Sequence, residues 1–208
     1  GVDRSALEQR YRAASVMAGV LPLGANRLAF FWSLRTDRLA AWQAGGLAAW
    51  KREVAALWPL TEVLLAQIED PAQPTFARYA HRTLARPVEP GLVHIGDSWH
   101  SASPQLGQGA NMALLDAYAL ARALRRGGDM ARLRRRHVRL YQAMSVLLTP
   151  VYQSDGRLLP LLPLLRYRLA GPLSRLWPAR RILPAMVSGL IGNPLQCLDL
   201  DAKNSPLE

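Results

Sequence analysis

Residues 92–124 read LVHIGDSWHSASPQLGQGANMALLDAYALARAL. Leu92 to Ile95 is a short apolar run between Gly91 and Gly96, and it predicts a buried strand. Gly96-Asp97 ends the run and a polar loop containing Pro104 follows. Gly107-Gln108-Gly109 then opens a helix, apolar nearly all round to Arg126 and so expected to be buried. A strand-loop-helix turn of this kind offers a ligand a carboxylate, free backbone N–H groups and a helix N-terminus.

Those three offerings define a ligand. An Asp at the C-terminal end of a buried strand lies where open α/β sheets bind their ligands, and its carboxylate can accept from sugar-like hydroxyls. Pro104 fixes one backbone dihedral and removes a donor. Gly107 and Gly109 let the backbone approach a flat molecule with no Cβ in the way. The helix start carries partial positive charge, which stabilises the anionic N1–C2=O edge of a reduced flavin. Taken singly, the Asp is an ordinary loop residue and the glycines an ordinary turn. As an ordered set they favour a flavin.

The set Gly-Asp-Ser-x-His-x-x-x-Pro-x-x-Gly-Gln-Gly-x-Asn-x-x-x-x-Asp-Ala at 96–117 resembles the C-terminal flavin motif of the para-hydroxybenzoate-hydroxylase-like FAD monooxygenases, which include the ubiquinone-biosynthesis and aromatic hydroxylases. The resemblance implies that Gly96 and Asp97 bring a carboxylate to the ribityl hydroxyls of FAD. It places Pro104 beside the isoalloxazine, and lines the pyrimidine edge with Gly107, Gln108, Gly109, Ala110 and Asn111 through backbone groups. Asp116 would be a structural polar residue within the helix. Trp99 departs from the small residue usual at its position. The family chemistry implied is reduction of FAD by NAD(P)H, addition of O₂, and oxygen transfer from the flavin hydroperoxide to an electron-rich aromatic ring. The substrate would lie against the sheet near Met17, Phe31 or Trp32, if those side chains face inward. No catalytic residue is assigned.

The family pattern also has a Gly-x-Gly-x-x-Gly turn for the ADP half of FAD and a second Asp-Gly motif, and neither is in this chain. Met112 stands where the third glycine after Gly107 and Gly109 would fall. The chain, which has no initiator Met, reads as the C-terminal portion of such an enzyme. By itself it is expected to bind FAD weakly or not at all and to be inactive.

Outward from the motif, residues 9–20 and 27–34 read as strands of a hairpin about the turn Pro22–Asn26. Thr36 and Asp37 are candidate caps for a helix carrying Leu39, Trp42, Leu47, Trp50, Val54 and Leu57, split at Gly45-Gly46 and ended by Pro59. Trp42 and Trp50 read as core anchors. Residues 60–69 read as a further short helix and Phe76 to Leu84 as another strand of the hairpin sheet. After Gly127-Gly128, Asp129 caps a helix whose core stripe is Met130, Leu133, His137, Leu140, Tyr141, Met144 and Leu148, closed by Pro150. His137 reads as a packing histidine.

The fold class expected is α+β. It comprises an antiparallel substrate-domain sheet with helices (1–86), the strand-loop-helix flavin segment of an α/β FAD domain (87–150) and a helical tail (151–208). That tail is rich in Leu, Pro and Arg, and its apolar run 182–198 is too short and too broken to span a bilayer comfortably.

Composition narrows the alternatives. Half of the 208 residues are apolar, enough for a folded core. The single Cys197 excludes an internal disulfide framework and a Cys-based zinc site, no metal is expected, and a cytoplasmic compartment fits. No apolar signal-peptide core opens the chain. The net charge of +11 is almost all arginine, and residues 122–139 hold eight Arg against Asp129 alone. This run reads first as a solvated helix face. Acidic lipid headgroups, with the apolar tail, or an acidic partner come next. Nucleic acid is not expected, because no binding motif and no interleaved aromatics accompany the charge. Two other functions compete. Gly96-Asp97-Ser98 resembles the nucleophile block of the GDSL-type esterases, with His100 nearby but badly placed for a base. A truncated chain can also be non-catalytic, or a subunit completed by another polypeptide.

Overall fold

The structure, a computed structural model, describes residues 5–12 and 16–152, with Leu161, Arg168, Leu176, Arg181, Cys197, Leu198 and Leu200. The readings made for the tail after Tyr152 otherwise lie outside the described residues. The arrangement is mixed α and β with small antiparallel sheets, and the described residues up to Ala77 and those from Arg78 to Pro150 form two compact units.

In the first unit β1 (Glu8–Arg12), β2 (Val16–Gly24) and β3 (Arg27–Ser33) form an antiparallel sheet in the order β1-β2-β3. The span 9–20, expected as one strand, is thus parts of two. The β2–β3 turn is Ala25-Asn26, both at positive φ (49° and 60°), the geometry of a two-residue hairpin turn that follows the strand twist. Pro22 and Gly24 stay in β2, where the register shifts between them. Alternation along the strands sorts the side chains. Ala18 and Val20 pack with Leu28, Phe30 and Trp32 against Trp58, while Met17, Gly19 and Phe31 fall on the opposite face by register. Phe31 lies across Gly19, where an added Cβ would clash with its ring.

The helical side comprises α1 (Leu39–Leu57) and α2 (Glu62–Ala66). A single turn of 3-10 helix at Thr36–Arg38 precedes α1 without a side-chain cap; Asp37 pairs with Arg35 instead. The expected break is present at Gly46, whose φ of 70° and ψ of 173° interrupt α1. Trp50, Val54 and Leu65 form a buried cluster with Trp42 and Phe30 at its edge, the rings meeting edge to face.

The second unit contains β4 (Arg82–Thr83), a ribbon of β5 (Val88–Glu89) with β6 (Leu92–Val93), and the helices α3 (Asp97–His100), α4 (Gly109–Arg126) and α5 (Met130–Tyr152). Three expectations change here. The strand expected at 76–84 is only β4, which bridges to Ser101 and His100 rather than joining the hairpin sheet. The buried strand at 92–95 is two residues long with Leu92 exposed, because β5 is its one neighbour among the described residues. The helix from Gly109 buries one face only, Met112, Asp116 and Ala119, and leaves Leu114 69% and Leu124 78% exposed.

Gly127 and Gly128, both at positive φ, end α4. Asp129 Oδ1 accepts from the Arg132 N–H at 3.1 Å, the cap that was expected. Pro150 lies inside α5 rather than closing it; in the last turns its missing N–H costs one bond. The buried face of α5 is Met130, Ala131, Arg134, Val138, Tyr141 and Ser145. It is rotated from the expected stripe, leaving Leu133 and His137 at its margin. Trp99, Met112, Ala119, Met130, Val138, Tyr141 and Leu198 make the core of this unit.

Candidate functional site

The loop from Gly96 to Asn111 is built by local chemistry. Gly96 has φ 56° and ψ −138°, and Ala113 Cβ would be 3.0 Å from a Cβ added there, so both backbone and space require glycine. The Ser98 Oγ donates to the Ile95 carbonyl at 2.7 Å and accepts from the Ile95 N–H, which tightens the turn into α3. Asp97 begins α3 and is exposed. Pro104 starts a single 3-10 turn to Leu106, closed by Gly107 in the left-handed region. Gln108 then stands at the N-cap position of α4, with no side-chain cap on the N–H groups of Gly109, Ala110 and Asn111.

The sequence-predicted residues are therefore brought together in one loop, with Asp97, Pro104, Gly107, Ala110 and Asn111 exposed and Gln108 and Gly109 half-buried. Among the described residues nothing lies within 4 Å of a Cβ added at Gly107, and at Gly109 only the Asp97 Oδ1, at 4.0 Å. An exposed carboxylate thus stands over an uncapped helix N-terminus whose glycine faces are open. This arrangement fits a flat, polyol-bearing, electron-rich ring: the acid accepts from hydroxyls, and the bare amides donate to carbonyl oxygens. Met17, Phe31 and Trp32 are not brought together. Met17 and Phe31 share one face of the sheet, whereas Trp32 packs on the helical side.

Behind the loop lies a buried charged cluster. Asp116 and Arg134 are 0% exposed. Asp116 accepts from the Gly96 N–H at 3.0 Å and from Arg134 Nε at 2.8 Å, and its Oδ2 is 2.6 Å from His100 Nε2. Burial alone would raise the Asp116 pKa, but the hydrogen bonds from His100, Arg134 and Gly96 hold it below the usual carboxylate range. Arg134 Nη1 is 2.8 Å from His137 Nδ1. Burial and the Arg134 charge push His137 down to about 4, so it is neutral at pH 7 and accepts from the guanidinium. Asp116 has the structural part expected of it. Arg134, read in the sequence as one of a solvated run, is a correction: it is the cation that makes the buried acid tolerable. A signal was there, since a single acid in an otherwise apolar helix needs a partner, and Arg134 falls on the stripe Met130, Val138, Tyr141.

The same bonds remove the esterase reading. Ser98 donates to Ile95, and the Nε2 of His100 is bound to Asp116 rather than to Ser98. The ring of His100 is 2% exposed, packed beside Trp99 and Tyr141, and offers no base to an incoming substrate.

The loop is braced from outside as well. Gln142 of α5 donates to the carbonyls of Ser101 and Arg82, at 2.8 and 3.2 Å. Ser101 donates to the Ala80 carbonyl and the Leu84 N–H to that of Trp99. Burial raises the Tyr141 phenol, helped by the charge of Asp97.

No family model matches the chain. No curated protein matches it either. Solved structures do. HpxO of Klebsiella pneumoniae, complexed with FAD and uric acid, superposes with a TM-score of 0.64 at 22% identity, over 90% of this chain and 48% of that one. A single-residue variant of HpxO complexed with FAD gives the same score over 49% of its length. PqsL of Pseudomonas aeruginosa, a probable FAD-dependent monooxygenase, scores 0.47 at 18% identity. The chain spans about half the length of the structures it matches, and with HpxO it shares the fold.

Proposed function

We propose that this chain is the flavin-contacting portion of an FAD-dependent monooxygenase that uses NAD(P)H and O₂ to oxygenate an aromatic or similarly electron-rich ring. The observation that carries the reading is the loop itself: the Asp97 carboxylate 4.0 Å from an open Gly109 position at the uncapped start of α4. The shared fold with HpxO, which is complexed with FAD and with a heterocyclic ring, supports it.

In this reading the bound FAD supplies the redox chemistry and the chain supplies position and field. Asp97 accepts hydrogen bonds from the ribityl hydroxyls. The N–H groups of Gly109, Ala110 and Asn111, with the positive end of α4, stabilise negative charge on the pyrimidine edge. Pro104 presents a donor-free surface beside the ring, and Gly96 and Gly107 hold the backbone turns that aim these groups. Met17 and Phe31, on one face of the sheet, are the substrate-side candidates. Trp32, the third candidate, lies on the helical face of the sheet.

Flavin fluorescence on titration with the purified chain tests the proposal. Weak quenching is expected from the chain alone, with Asp97→Ala weakening it further by about 10- to 100-fold, the loss of one or two charge-assisted hydrogen bonds at about 1.5 kcal/mol each. Unchanged affinity in Asp97→Ala removes the acid from the site. No flavin uptake, even when the remaining part of an HpxO-like fold is supplied as a second polypeptide, ends the reading.

A further inference from the structure

We propose that the outer face of α5, together with the last turn of α4, is a docking surface for an anionic lipid bilayer. Arg132, Arg135, Arg136 and Arg139 are spaced i, i+3, i+4 and i+7, so their side chains share one stripe, and all four residues are exposed. No carboxylate among the described residues pairs with any of the four. Asp116, the buried acid near this helix, is taken by Arg134, and Asp129 is turned to the backbone N–H of Arg132. Four cations at these spacings repel one another, and an anionic surface relieves that repulsion.

Charge by itself would suit any polyanion. The apolar residues decide between them. The same face of α5 continues through Ala143 to Val146 and Leu147, 53% and 67% exposed, and Leu124 in the last turn of α4 is 78% exposed beside Arg125 and Arg126. A helix lying in the headgroup layer uses both parts, guanidinium groups on phosphates and aliphatic side chains at the acyl boundary. A nucleic acid would use the charge and leave the aliphatic residues in water, and this face of α5 has no aromatic side chain on which a base could stack. The contact is peripheral, since no helix among the described residues is long and apolar enough to cross a membrane.

The test is co-sedimentation of the full chain with vesicles of phosphatidylcholine alone and of phosphatidylcholine with phosphatidylglycerol. Binding to the anionic vesicles alone, lost as salt is raised, is the expected result. The variant carrying Arg132→Gln, Arg135→Gln, Arg136→Gln and Arg139→Gln should bind at least about 100-fold more weakly, each cation near such a surface being worth about fivefold. Gln keeps helix propensity on an exposed face, and circular dichroism checks that α5 is intact. Leu124→Ser should weaken binding several-fold while leaving its salt dependence unchanged. Equal binding to both vesicle types, unchanged binding by the four-Gln variant, or preference for a DNA duplex over the anionic vesicles would each overturn the proposal.

Discussion

Asp116 and Arg134 show how much one residue can depend on another eighteen positions away. Each is fully buried, and each would be intolerable alone. Arg134→Met should therefore destabilise the chain by about 3–5 kcal/mol in denaturant unfolding, because it strands a buried carboxylate. Adding Asp116→Asn should recover part of that loss: the amide oxygen still accepts from the Gly96 N–H and removes the stranded charge. A double variant no more stable than Arg134→Met would show that the cost is packing rather than charge. His137 gives a pH signature. Its pKa is depressed in the fold to about 4 from 6.5, so as pH falls the unfolded chain takes up a proton first. Stability contributed by the neutral imidazole is present above pH 6.5 and is lost progressively toward pH 4. The loss should be about 1–2 kcal/mol once solvent screening at this half-buried side chain is allowed for. His137→Gln keeps an acceptor for Arg134 and should flatten the stability profile between pH 4 and 6.5. An unchanged slope there would mean that other groups carry it.

At the scale of elements, the parts legible in the sequence were those whose reasons are local. The Gly46 break, the Asp129 cap and the Gly107-Gly109 entry to α4 are each set by backbone requirements that a few residues announce. The parts misread depended on neighbours far along the chain. Leu92 to Ile95 has the composition of a buried strand, but burial needs strands on both sides. Arg134 looks like its neighbours at 135 and 136 until α4 places Asp116 against it. Phe31 and Trp32 are adjacent and so face opposite ways in any strand, but which of them meets the helices is set by register and packing, which the sequence does not show. That register makes a prediction. The Phe31 ring occupies the position a Cβ would take on Gly19, so Gly19→Ala should destabilise the hairpin unit by about 1–3 kcal/mol through overpacking. Phe31→Leu in the same chain should relieve much of that, because the smaller side chain can turn aside. If Gly19→Ala melts like the parent, the ring does not lie over β2.

For the molecule as a whole, the balance of the candidate site is one-sided. Under the proposed function the described loop would address a flavin ring and its ribityl chain, with Asp97 for hydroxyls and the open glycines and amides of α4 for the ring edge. The sequence holds no Gly-x-Gly-x-x-Gly turn with which a helix N-terminus would grip a pyrophosphate. The chain also spans only 48% of HpxO. Selectivity between flavins should follow from this. If all recognition within the chain falls on the ring end, riboflavin and FAD should bind it with dissociation constants within about tenfold of each other, since adenine and the phosphates add little beyond attraction to a chain of net charge +11. That residual attraction is long-range, so raising the salt should bring the two constants closer still. Competition of riboflavin against FAD, followed by flavin fluorescence at two ionic strengths, measures the ratio directly. FAD binding more than about 100-fold tighter at high salt, a difference of about 2.7 kcal/mol, would require a phosphate or adenine anchor within these 208 residues and would overturn the ring-end assignment.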